Sequence, residues 1–135
     1  MFTLLDSTDQ IKPGKDTYLA VITSEISSKE DLLEELKNKL QFPEYFGFNW
    51  DALFDCLKDL DWIKKKKVVI AHNDLPKLDN KDLMIYIGIL EDAIRSWSND
   101  RRHSLDVVFP KSEEKQLRKL LSKIAEETVF GSELY

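Results

Sequence analysis

The amino-acid sequence predicts a small α/β domain, with a parallel sheet of about three strands packed against helices and one extra helix at the C-terminal end. Short β-branched segments alternate with longer segments of helical periodicity. The chain has 135 residues, which suits one domain with a substantial core, and its four glycines and four prolines are too few for a long linker. Strands that are joined by helices normally lie parallel, with right-handed crossovers. We therefore treat residues 1–135 as a single domain.

The first predicted strand is segment 17–23, TYLAVIT, which is rich in β-branched and aromatic residues. An amphipathic helix over 28–41 follows it, because leucines recur there at helical spacing. Ser28 is its expected N-cap. The helix should end before Pro43, because the residue that precedes a proline is disfavoured in the α region.

A second helix is predicted over 50–60. Gly47 marks a turn before it, and Asn49 is a suitable N-cap because its side-chain oxygen can accept a hydrogen bond from a backbone N–H of the first turn. The next strand is 67–71, KVVIA, a short apolar segment of the kind that is buried in parallel sheets.

The C-terminal half repeats the alternation of helix and strand. A long helix is predicted over 81–97, with Asp79 or Asn80 as its cap, and a strand over 105–109. Ser112 is then expected to cap the extra helix, 112–127, whose apolar face is Leu117, Leu120, Leu121 and Ile124.

The two ends of the chain carry weaker patterns. Residues 1–5 are expected to add an edge strand, and residues 128–135 are expected to form a loosely held tail.

Composition limits the partners that this chain can have. The formal net charge is −5, and phosphate contacts need clustered Lys and Arg, so we expect no direct binding of nucleic acid and favour a basic protein partner. The single cysteine, Cys56, indicates a reducing compartment. The N-terminus does not resemble a signal peptide and no apolar run approaches about 18 residues, so we expect a soluble cytoplasmic protein without membrane contact.

No cofactor or metal ion is expected. His72 and His103 are isolated in the sequence, and together with Cys56 they do not provide a zinc site of usual spacing. The sequence contains neither a glycine-rich phosphate loop nor a nucleophile turn. Cys56 falls on the apolar side of its helix, which favours a buried, unreactive thiol.

The second predicted helix has two chemically different faces. On a helical projection, one arc of about 100° is apolar and carries Leu53, Cys56, Leu57 and Leu60. A second arc of about 80° carries the three carboxylates Asp51, Asp55 and Asp59. Trp50 and Phe54 lie between the two arcs and flank the carboxylates. Like charges four residues apart destabilise a helix slightly, so a sequence selected only for stability would not align them.

Periodicity alone leaves a structural interpretation open. Asp51 is favoured in a first helical turn by the helix dipole, whatever its function. Asp55 and Asp59 are also compatible with an ordinary solvated face, and Trp50 and Phe54 with packing against a neighbouring helix.

The ordered string around this helix is more specific than its periodicity. With x for positions that are free to vary, it is Pro43-Glu44-Tyr45-Phe46-Gly47-x-Asn49-x-Asp51-Ala52-Leu53-x-Asp55-Cys56-Leu57. This string closely resembles the signature segment of the barstar family of ribonuclease inhibitors. Together with the predicted order of elements, the resemblance extends over about residues 17–109, leaving the N-terminal segment and the C-terminal helix unexplained.

The resemblance implies an inhibitor that binds a basic ribonuclease or a nuclease toxin domain and blocks its active site. Carboxylates of the inhibitor would take the place of RNA phosphates. Asp55 is expected to enter the centre of the nuclease site and Asp51 to make a second charged contact. Tyr45 and Phe54 are expected to act as aromatic anchors beside them.

Other positions are implied at the periphery of the same face. Asn49 and Trp50 match binding-loop positions, and Asp59 is the third carboxylate on the acidic arc of the second helix. On the long third helix, Asp92 matches a peripheral acidic contact and Ile89 its apolar neighbour.

The sequence also departs from the family pattern, and these departures concern which nuclease is bound. The family has a further aromatic residue near the end of the second helix, where this chain has Leu60, with Trp62 two residues later. Phe48 and Trp50 place bulky rings at positions that need not be aromatic.

Two other functions stay open beside an inhibitor without catalytic activity. One is an enzyme that uses Asp51 and Asp55 as an acid–base pair or as magnesium ligands, although both carboxylates project from one short helix. The other is an interaction module that presents the same acidic and aromatic face to a basic partner that is not a nuclease.

Overall fold

The computed structural model describes residues 2–99 and 103–129 and contains a four-stranded sheet with four α-helices. The strands are β1 (Thr3–Leu5), β2 (Thr17–Ile22), β3 (Lys67–His72) and β4 (Ser104–Pro110). The helices are α1 (Lys29–Leu40), α2 (Trp50–Asp59), α3 (Asn80–Ser98) and α4 (Glu114–Val129).

All strand pairs are parallel, and the strand order across the sheet is β1-β4-β3-β2. The predicted α/β class, the parallel sheet and the extra C-terminal helix are confirmed. The N-terminal segment contributes the fourth strand, pairing Thr3 with Val108 at the register of the short β1–β4 ladder.

The core lies mainly between one face of the sheet and the helices. Alternate strand residues such as Ile22, Ile70 and Phe109 are fully buried there, together with apolar residues from each of the four helices. The opposite face of the sheet has a smaller cluster around Val69, on which the segment before β2 packs Ile11. Most apolar burial therefore serves to hold the helices in place.

The predicted N-caps account for the starts of three helices. Ser28 accepts a hydrogen bond from the backbone of Asp31, Asn49 from Ala52, and Asp79 from Asp82. Asp79, rather than Asn80, is therefore the cap of α3.

The start of α4 corrects one prediction. Ser112 lies inside a 3-10 turn, Lys111–Glu113, so it does not cap the helix, which begins at Glu114. The chain leaves β4 through Pro110, whose extended backbone places this turn before the helix. Of the expected tail, 128–135, residues 128–129 belong to α4, and the remainder lies outside the described residues. Across the part of the chain that the structure describes, no helix is both long and apolar enough to cross a bilayer.

Candidate functional site

The loop before α2 is held in shape by its own backbone and by its capping residue. Phe46 N donates to Pro43 O at 3.0 Å. Asn49 Oδ1 accepts from Ala52 N at 2.8 Å, and Asn49 Nδ2 donates to Gly47 O at 3.4 Å. Asn49 is exposed, but both polar atoms of its amide are used inside the loop and helix, so its first role is to fix the loop against α2.

The two predicted faces of α2 are present in the structure. Leu53 and Leu57 are fully buried in the core. Asp51 and Asp55 are exposed on the other side, and Asp59 is half-buried. The helix therefore presents a row of carboxylates to solvent while its opposite side anchors it; we call the surface formed by Asp51, Asp55 and Asp59 the acidic face.

Asp55 is exposed and forms an ion pair with Lys58. Its side chain is 78% exposed, and Lys58 Nζ lies 3.9 Å from Oδ1. The same ammonium lies 4.3 Å from the ring centroid of Phe54, which is half-buried. Lys58 is held by a cation–π contact as well as by the carboxylate, and it neutralises part of the acidic face in the free protein.

A groove of about 270 Å³ separates the loop from α2. Tyr45, Phe46 and Gly47 form one wall, and the other is lined by Ala52, Asp55, Cys56 and Asp59. Tyr45 is 74% exposed, which is unusual for a ring of its size in a folded protein. With an exposed ring on one wall and two carboxylates on the other, the groove has the chemistry to receive a cationic side chain.

Cys56, which lines this groove, has the properties of a core residue. It is 4% exposed. Burial, together with the smaller effect of the neighbouring Asp55 and Asp59 charges, raises the pKa of the thiol to about 11. The thiol therefore stays protonated near neutral pH and is a poor nucleophile.

Trp50, which the resemblance places among the binding-loop positions, packs inward in the free protein. Its ring is only 8% exposed and stacks on Tyr86 of α3, with the centroids 6.3 Å apart. Trp50 Nε1 donates to Asp82 Oδ1 at 3.4 Å. The side chain points towards α3 rather than outwards, so it joins the two helices and does not form part of the exposed surface.

Ile89, the apolar contact that the resemblance implies on α3, is also enclosed in the free protein. It is fully buried, within a run of buried residues on α3 that extends from Ile85 to Leu90. The sequence shows that position 89 is apolar. It does not show that α3 is enclosed by other elements on most of its sides.

Asp92 is half-buried on α3 and accepts a hydrogen bond from Arg95 Nη1 at 3.1 Å. Burial raises the pKa of its carboxyl group, and the Arg95 charge partly offsets that effect. Its place at the periphery of a binding surface remains a proposal.

Besides the Trp50–Tyr86 stacking, a buried hydrogen bond holds α2 against α3. Trp97 Nε1 donates to the carbonyl oxygen of Leu57 at 2.8 Å, in a buried position. Trp62, the aromatic residue just beyond α2, donates to Leu40 O at 2.8 Å and is thereby tied to α1. The structure thus assigns both tryptophans to the support of the site.

One exposed residue of this region was missed as a candidate. Phe48 is 48% exposed and lies in the loop between Gly47 and Asn49. The signal in the sequence is a large aromatic residue in a short loop that otherwise needs turn and capping residues. No group of three or more His, Cys, Asp or Glu side chains in the described residues is arranged to hold a metal ion.

Comparison with known proteins gives a family match and a curated relative. A family model described as Barstar (barnase inhibitor) matches residues 17–110, a range that runs from β2 to the end of β4 and includes the acidic face. The Bacillus subtilis (strain 168) protein named "Putative ribonuclease inhibitor YrdF" is 43% identical over 44 residues, which are 33% of this chain and 46% of that protein. The matched segment thus spans less than half the length of this curated relative. The N-terminal strand β1 and helix α4 lie outside the family match.

Proposed function

The chain belongs to the barstar family, and from this membership we propose that it inhibits a basic ribonuclease by placing the acidic face and the Tyr45 loop over the nuclease active site. The inhibitor acts by binding and carries out no turnover of its own. The partner is a ribonuclease or the nuclease domain of a toxin. The encounter takes place in the cytoplasm, where such a nuclease would endanger the cell that makes it.

The observation that carries this proposal is the groove between the loop and α2. It brings Asp55 and Asp59 opposite Tyr45, on a surface that is open to solvent. A ribonuclease binds the phosphates of RNA with cationic side chains, and carboxylates at similar positions can pair with the same cations. The acidic face would also speed the encounter, because opposite charges steer diffusing partners together.

The packing of α2 supports binding without reorganisation. Leu53 and Leu57 fix one side of the helix in the core, and the Trp97–Leu57 hydrogen bond fixes its position against α3. Asn49 fixes the loop at the start of the helix. A surface that is already ordered loses little conformational entropy on binding, so more of its interaction energy appears as affinity.

Within the acidic face, Asp55 is the residue on which inhibition should depend most. It is exposed, it borders the groove, and its one resolved ion pair, with Lys58, is long enough at 3.9 Å to be exchanged for a partner's cation. Asp51 contributes a second charge one helical turn earlier. Tyr45 and Phe54 flank these groups and provide apolar contact area.

The test is an RNA-cleavage assay against a panel of basic microbial ribonucleases and toxin nuclease domains. Wild-type protein should abolish cleavage by its partner at a one-to-one ratio. Asp55→Ala should inhibit poorly, whereas Lys58→Ala, which changes the neighbouring charge and leaves the carboxylates in place, should inhibit at least as well as wild type.

Absence of inhibition across the panel would contradict the proposal for those nucleases. Capture of a basic protein without nuclease activity, with Asp55 still required, would instead assign the same face to an interaction module.

A further inference from the structure

Phe48 adopts a backbone conformation that an aromatic residue rarely occupies. Its φ is 52°, in the left-handed region, which it shares with two other non-glycine residues among those described, Gln41 and Leu60. Those two are the C-caps of α1 and α2, where a left-handed residue commonly ends a helix. Phe48 instead precedes an N-cap, so no helix end explains its conformation.

The ring does not compensate for this conformation by full burial. Leu60 is 1% exposed, and its side chain is part of the core, whereas Phe48 remains 48% exposed. Glycine or asparagine would occupy the same backbone conformation with less strain. An exposed aromatic side chain at a strained position is therefore more consistent with a use outside the fold than with stability.

Two neighbours hold the ring in a fixed place. Phe46, which is 4% exposed, lies with its ring centroid 5.0 Å from that of Phe48. Lys37 of α1 places its ammonium 5.1 Å from the Phe48 centroid. The exposed part of the ring is thus oriented by contacts from α1 and from the core, as expected for an anchor that is ordered before binding.

Lys37 also determines which chemistry suits this point of the surface. A cation of the partner would be repelled by the Lys37 ammonium, unlike at the groove, where Asp55 and Asp59 attract one. The Phe48 ring offers apolar area there. The surface is therefore divided into a carboxylate part for cations and an aromatic part for an apolar contact.

We propose that Phe48 is a specificity-determining contact, which packs against an apolar side chain bordering the cationic active site of the partner nuclease. This inference rests on the proposed inhibitor function and adds to it a contact on the α1 side of the acidic face. It makes the choice of nuclease depend on apolar shape as well as on charge.

The experiment compares Phe48→Asn, Phe48→Gly and Phe48→Tyr with wild type, by thermal unfolding and by titration against the nuclease that wild type inhibits. Phe48→Asn removes the ring and suits the left-handed backbone, so its melting temperature should equal or exceed that of wild type. Its dissociation constant should rise by about tenfold or more, as for loss of an interface anchor. Phe48→Tyr keeps the ring and should bind within about twofold of wild type.

The alternative outcomes distinguish a failure of this inference alone from a failure of the proposed function. If Asp55→Ala loses inhibition while Phe48→Asn inhibits as well as wild type, the inhibitor function stands and the role of Phe48 is refuted. If Phe48→Asn and Phe48→Gly both unfold at clearly lower temperature, the ring is structural and the inference is also refuted. If wild type inhibits no nuclease in the panel, the proposed function fails and this inference fails with it.

Discussion

Replacement of Asp55 by alanine should separate binding from folding. In the free protein the carboxylate is 78% exposed and its resolved ion pair, to Lys58, is 3.9 Å long. An exposed pair of this kind contributes about 0–1 kcal/mol. Removing the charge also relieves repulsion from Asp51 and Asp59, each worth about 0.2–0.5 kcal/mol at a spacing of four residues. These terms nearly cancel, so the free energy of unfolding should change by less than about 1 kcal/mol.

The effect on the complex should be much larger. In the bound state the carboxylate would be desolvated among cations, which lose their partner when it is removed. Truncating one member of such a buried charge pair costs about 2–5 kcal/mol, a range to which complexes of the barstar family themselves contribute. The dissociation constant should therefore rise by about 30-fold to several thousand-fold.

Two measurements on the same preparations check this reasoning. Urea unfolding reports the stability of wild type and Asp55→Ala, and titration of RNA cleavage reports their affinity for the nuclease. Equal stability with a large loss of inhibition is the expected result. Equal inhibition would refute the assignment of Asp55 to the centre of the interface, and a large loss of stability would refute the view that this carboxylate serves only the surface.

Three further results are expected. Leu57→Ala, at a fully buried position, should lower the free energy of unfolding by about 2–5 kcal/mol in urea titrations, while the protein that remains folded still inhibits. Association should slow as ionic strength rises, because the Debye length falls from about 10 Å at 0.1 M to about 3 Å at 1 M salt; a stopped-flow rate that does not change with salt would indicate an apolar interface. Stability should fall as pH drops from 6.5 towards 4, because burial lowers the pKa of His72 to about 4 and the unfolded chain takes up this proton first. Urea titrations of His72→Gln across this range should show a flatter dependence on pH.

The histidine effect follows from how His72 is enclosed. Its Nδ1 lies 3.0 Å from the Val108 carbonyl oxygen, which can only accept, so Nδ1 carries the proton. Its Nε2 lies 2.6 Å from the Tyr86 hydroxyl and accepts from it in the neutral ring. The ring also stacks on Phe109, with the centroids 4.1 Å apart. A second proton would reverse the Tyr86 hydrogen bond, with Nε2 donating to the hydroxyl oxygen, and would place a charge in the core.

Sequence periodicity predicted most of this fold because most of its elements follow simple local rules. Ser28, Asn49 and Asp79 cap their helices because each is followed directly by an apolar helical pattern. The same rule gave a wrong prediction at Ser112, because Pro110 and the 3-10 turn come between β4 and α4. A short turn of this kind is not visible in the spacing of apolar residues. A capping residue identifies a helix start only where the preceding backbone leads straight into the helix.

The candidate site was harder to predict in detail, for a physical reason. Helical projection correctly placed Asp51 and Asp55 opposite Leu53 and Leu57, because these positions differ by about half a turn. It could not decide the direction of Trp50, which lies between the two faces and is buried against α3, where Tyr86 stacks on its ring. Residues at the boundary between faces depend on tertiary neighbours, which a single helix does not specify.

Phe48 shows a different limit. Its aromatic side chain is visible in the sequence, but the left-handed backbone is known only once the loop is built. The strain, together with the exposure, is what separates this ring from an ordinary loop residue.

The two faces of α2 also explain how an unfavourable charge pattern is retained. Repulsion between neighbouring carboxylates costs a few tenths of a kcal/mol per pair. Burial of a side chain such as Leu53 or Leu57 contributes about 1.5–3 kcal/mol each. The apolar side therefore stabilises the helix by several times what the acidic face costs. Because of this surplus the carboxylates are not needed for folding, and their alignment is free to be selected for the charge of a partner.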